Sequence, residues 1–173
     1  MKLFKKLAAA ALAAVLALSM VGCGNANSVN STKQFILNFL ADSTVMSTGE
    51  YHNTSEMDGI AQKLLTEANA AYQDETQTDK TVKALMRAAA EKEGILKEGT
   101  GYEISFVEDY QFKSSLIPEV QKQLMLMQMM DTIEVNGGIA LDATKLDVGV
   151  AVGKIGDKTY AVVVMTSAET AAP

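Results

Sequence analysis

Between Leu7 and Val21 the chain carries no charged residue, and just beyond that run stands its only cysteine, Cys23. Three lysines and no acid precede the run, in Met1-Lys2-Leu3-Phe4-Lys5-Lys6. An apolar stretch of this length falls short of the roughly 20 residues that a spanning helix needs. It has instead the length and the basic lead of an export signal. The segment constrains the fold in two ways. It takes residues 1–22 out of the folded part, and it leaves a remainder with no second thiol. Neither an intramolecular disulfide nor a thiolate zinc site is then available. Residues 24–173 must hold together by packing alone, and a chain of that size can bury a sufficient core.

The run closes as Leu18-Ser19-Met20-Val21-Gly22-Cys23-Gly24-Asn25. This resembles the lipobox of bacterial lipoproteins: an apolar residue, a small or medium one, a small one, then cysteine. Met20, Val21, Gly22 and Cys23 take those places, with methionine where leucine is more usual. The resemblance implies cleavage after Gly22 and a diacylglyceryl thioether on Cys23. The remainder would then be anchored to the cell membrane on its extracytoplasmic face. Two acyl chains give a stable anchor where one gives only marginal binding. Gly24 to Thr32 is small and polar, which reads as a spacer. The expected organisation is a signal peptide over 1–22 and a lipidated cysteine with a flexible tether over 23–32. A single α+β domain over 33–166 and a disordered tail over 167–173 follow.

Charge narrows the partners. Of 15 basic and 21 acidic residues, Lys2, Lys5 and Lys6 leave with the signal. The mature part then holds 12 basic against 21 acidic residues, a net of −9. A negative domain disfavours nucleic acid and anionic headgroups as partners. The anchor, not surface charge, would hold it at the membrane.

Periodicity divides the rest. Phe35, Ile36, Phe39 and Leu40 predict a short amphipathic helix over Lys33 to Leu40, and Asp42 to Ser55 reads as loop. Ser55 is a candidate cap for a helix whose stripe is Ile60, Leu64, Leu65 and Ala68 and which fades near Tyr72. Val82, Leu85, Met86 and Ala89 predict a third helix that begins near Thr78 or Asp79 and stops at Gly94. Tyr102 to Tyr110 alternates as a strand. Pro118 opens a helix towards Met130 that is apolar almost all round. Thr132 to Val135, Leu146 to Gly153 and Tyr160 to Met165 predict strands, the last two joined by a hairpin at Gly156. Tyr160, Val162 and Val164 alternate with Ala161, Val163 and Met165, so both faces of that strand are apolar. It is expected at the sheet centre with helices packed on it. The fold class is α+β, helices packed on a small antiparallel sheet.

Chemistry is sparse. His52 is the only histidine, so no His–His metal pair exists in one chain. Met125, Met127, Met129 and Met130 are soft ligands of the kind that select Cu(I), but alternating leucines give them the look of core filling. Glu103, Glu108 and Asp109 lie along one expected strand, as exposed acids commonly do. Ser114-Ser115 lacks the order of serine acylases, and Asn136-Gly137-Gly138 is a turn too short for a phosphate loop. No catalytic residue, metal site or cofactor is assigned.

Residues 139–152 (Ile139-Ala140-Leu141-Asp142-Ala143-Thr144-Lys145-Leu146-Asp147-Val148-Gly149-Val150-Ala151-Val152) and the run Lys158 to Met165 resemble the end of a CAP domain. That is the family of cysteine-rich secretory and pathogenesis-related proteins. Asp79 to Glu93 is similar to its alanine-rich helix, and Gly101-Tyr102-Glu103-Ile104 to its G-E-N-I segment. The resemblance implies an exported αβα sandwich. The family's metal cleft uses two histidines and two acids, whereas no histidine follows His52 and Asn136 stands near the second position. No site residue is carried over. The expectation is a non-enzymatic binding or structural module, lipid-anchored at the cell envelope. An envelope protein, or an apolar ligand lying in a groove of the C-terminal sheet, would be its partner. The alternatives are a carboxylate-based cell-wall hydrolase and a methionine-based copper protein.

Overall fold

The computed structural model describes residues 26–42, 50–108, 132–139 and 143–167. Three helices and a five-stranded mixed sheet occupy them: α1 (Ala26–Asp42), β1 (Glu50–Asn53), α2 (Ser55–Gln73), α3 (Val82–Ala90), β2 (Tyr102–Glu108), β3 (Ile133–Val135), β4 (Lys145–Ile155) and β5 (Lys158–Ser167). The α+β class read from the sequence is the one observed. The spatial order is β1-β4-β5-β2-β3, with every pairing antiparallel except that of β1 with β4.

The alternation of β5 decides the layering. Tyr160, Val162 and Val164 join one buried cluster with α2 and α3; Ala161, Val163 and Met165 join the other with Ile36, Phe39 and Leu40 of α1. Helices therefore cover both faces, and β5 is the central strand, as expected from its two apolar faces. Residues Ala161 to Thr166 are all buried, so this part of the sheet is core.

The two faces of β4 do different work. Leu146, Val148, Val150 and Val152 point one way; Gly149, Ala151 and Gly153 point the other, towards α2. A Cβ built on Gly149 would fall on the Met57 carbonyl, and one on Gly153 would stand 2.6 Å from a Leu65 methyl. The missing side chains let the α2 backbone lie directly on the strand, with Met57, Ala61, Leu64, Leu65 and Ala68 buried beneath it.

Helix ends depart from expectation by local capping. Thr54, not Ser55, caps α2: its hydroxyl accepts from the Met57 amide at 3.2 Å. The third helix begins at Val82 because the Asp79 carboxylate accepts the Thr81 amide at 2.9 Å in a turn, and Thr81 then caps. It ends at Ala90, before Gly94, which takes φ 75° in the turns that follow.

Two corrections concern the N-terminal region. The expected tether over 23–32 is helical from Ala26, and Thr32 is buried; packing of the later turns on the sheet extends the helix through a polar run of weak intrinsic preference. The expected loop before Ser55 contains β1. Its four residues have no strand pattern of their own, and β4 supplies the order: the Glu50 amide donates to Thr144 O at 2.8 Å and the Thr54 amide to Val148 O at 3.2 Å. His52 thus lies on an edge strand, not in a loop. Of the expected tail, Ser167 belongs to β5. The helix expected from Pro118 to Met130 lies outside the described residues.

Gly149→Ala should lower unfolding stability by about 1–3 kcal/mol, the usual cost of forcing atoms into a packed contact. Gly59, an exposed α2 residue with nothing within 4 Å of a built Cβ, gives the control. Gly59→Ala should raise stability by roughly 0.5–1 kcal/mol through helix preference alone. Urea unfolding of the two variants beside the parent checks both.

Candidate functional site

Two partly buried carboxylates mark the places where the described polar groups converge. The first is Asp58, in the opening turn of α2, where the helix dipole already favours negative charge. It accepts the Val150 amide at 2.9 Å and the Asn53 side-chain amide at 2.9 Å, and it pairs with the Lys33 ammonium. One carboxylate so ties α1, β1, α2 and β4 together. Val150 lies just past the end of the β1 ladder, so its amide faces away from any strand partner there, and Asp58 fills the place. Burial alone would raise the Asp58 pKa; the bonds from Lys33, Val150 and Asn53 outweigh it and hold the carboxyl below the usual range.

The second is Glu103 on β2, directly opposite Glu134 on β3. The Asn136-Gly137-Gly138 turn keeps all three residues at positive φ, at 53°, 87° and 72°. That tight reversal carries the chain back so that the Ile139 amide donates to the Glu103 carboxylate. Burial raises the Glu103 pKa, the Ile139 amide opposes it, and the Glu134 charge raises it further; the net shift is upward. This acid retains its proton to higher pH than an exposed glutamate. Protonated, it can donate a hydrogen bond; ionised, it repels its neighbour across the ladder.

A shallow groove of about 340 Å³ lies at the β4–β5 hairpin, between Tyr72, Lys80, Lys158 and Tyr160. Lys80 stands 5.2 Å from the centre of the Tyr72 ring and donates to the Tyr72 carbonyl at 2.7 Å. Lys158 pairs with Glu108 at 3.2 Å. The Asn69 side chain accepts the Gly156 amide at 3.0 Å and fixes the hairpin against α2.

The residues singled out from sequence scatter. Glu103 is half-buried within the acid pair, Glu108 faces Lys158, and exposed His52 lies 3.5 Å from Glu50. Met20, Val21, Gly22, Cys23, Asp109, Ser114, Ser115 and the methionines 125, 127, 129 and 130 lie outside the described residues. Among the described residues no group of three or more His, Cys, Asp or Glu is placed to hold a metal ion, and no helix is long and apolar enough to cross a membrane. Sequence reading missed Asp58 as a junction and Glu134 as the partner of Glu103, since both depend on strand register. The chain matches no family model, no curated protein and no solved structure.

The two carboxylates should titrate stability in opposite senses. Asp58 has a depressed folded pKa, so its contribution is complete above the ordinary aspartate range and is lost as pH falls through the folded value. Asp58→Asn should flatten the acid limb of stability against pH and cost about 1–3 kcal/mol at pH 7, from hydrogen bonds to a charged group. Glu103 has a raised folded pKa, so its cost appears as pH climbs from the ordinary glutamate range through the folded value. Glu103→Gln should therefore be more stable than the parent at neutral pH and no more stable at pH 3. Denaturant midpoints measured from pH 3 to 8 read both.

Proposed function

We propose that the chain is a lipid-anchored lipoprotein, held by Cys23 on the extracytoplasmic face of the cell membrane, and that its domain is a binding or structural module for an envelope protein. The observation that carries the reading is the single thiol standing where a basic-led, uncharged run ends, in the order Met20-Val21-Gly22-Cys23. The described charges support a module whose work is contact. Asp58 serves the junction of four elements, and Glu108 pairs with Lys158. A carboxylate engaged in holding a fold is poorly free to move protons in a reaction. The acidic mature surface suits a partner with basic patches.

Metabolic labelling with palmitate should mark the wild-type protein and leave Cys23→Ser unlabelled. The variant should also leave the membrane fraction or persist as an uncleaved, slower-migrating precursor. Equal labelling of both forms would remove the anchor from this account.

A further inference from the structure

The helix that begins three residues after Cys23 is not a detached stalk. Thr32, Ile36, Phe39 and Leu40 of α1 are buried against the sheet side of the domain, and Lys33 pairs with Asp58 at the start of α2. Only Gly24 and Asn25 separate the cysteine from Ala26. From Cys23 to Ala26 the chain can reach at most about 11 Å when fully extended. From Ala26 to Thr32 the helix adds roughly 9 Å at its rise per residue.

We infer that, on the anchoring reading proposed above, the domain rides directly on the outer surface of the bilayer, with Ala26 at the start of α1 within about 11 Å of the anchored cysteine and the buried Thr32 within about 20 Å of it. Residues 23–32 as a slack coil would let the domain drift; a helix continuous with the core from Ala26 onward limits its reach. The partner surface is the headgroup layer itself, and anything the module binds must come to within one domain diameter of it. The net of −9 on the mature part means that the short leash, not attraction to anionic lipid, sets this position.

The test couples Cys23 of the mature chain to a maleimide lipid in phosphatidylcholine vesicles, so it reads the leash whether or not cells lipidate the residue. The chain has no tryptophan, and Gln34 is exposed on α1. Gln34→Trp is then a single donor to dansyl-labelled headgroups. A second form carries about 20 Gly/Ser residues inserted between Asn25 and Ala26, a coil with a root-mean-square span of roughly 25 Å. Energy transfer in the native-length form should exceed that in the inserted form by about twofold or more, given that added span. Equal transfer in the two forms would overturn the inference, because the length of the leash would then not set the distance of the domain from the bilayer. Failure of the palmitate experiment with success here would remove the anchor in cells and leave the rigid leash intact.

Discussion

The fold depends on one close approach: the backbone of α2 at Met57 lying on Gly149 of β4, with the Leu65 side chain seated over Gly153 further along the same face. Everything else is arranged around that approach. It brings the opening turn of α2 to the end of the β1 ladder, where Thr54 caps the helix and Asp58 reaches the Val150 amide. It carries the far end of the helix to the hairpin, where Asn69 receives the Gly156 amide. A helix held at both ends and pressed along its length acts as the spine of the domain. The valines on the opposite side of the same strand are then free to accept α1.

Polar groups at the junctions set direction where apolar packing cannot. Hydrophobic burial has no preferred angle, but a carboxylate with four elements around it does. Asp58 is charged, part-buried and fully partnered, so it stabilises one mutual placement of α1, β1, α2 and β4 against near alternatives. Glu103 is the counterexample. Its burial, and to a lesser degree the Glu134 charge opposite, make its ionisation costly, and one amide from Ile139 opposes that cost.

How much was legible in the sequence follows from which residues carry local signals. The alternation of Tyr160 to Met165 announced a central strand with two covered faces, and the stripe of Leu64, Leu65 and Ala68 announced α2. Those patterns depend only on neighbours along the chain. β1 was illegible because Glu50-Tyr51-His52-Asn53 has no strand character apart from its partner on β4. The early start of α1 was hidden for the same reason, since Gly24 to Thr32 looks like a spacer until the sheet beneath it is known. Gly149, Ala151 and Gly153 alternate with valines along β4, but their purpose as a seat for α2 needed the third dimension. Of the site, Glu103 stood out as an acid on a strand, while its pairing with Glu134 waited on register.

The place of β5 in the chain has a consequence for the order of assembly. It is the middle strand of the sheet, and it comes after every other described element. Its neighbours β4 and β2, and the helix faces on both sides, have no completed surface to settle on until it arrives. Contacts between α1 and the strand pair span more than a hundred residues, which is the slow kind of closure. A polypeptide emerging from its N-terminus would therefore lack a core until late and condense as a unit once β5 has appeared.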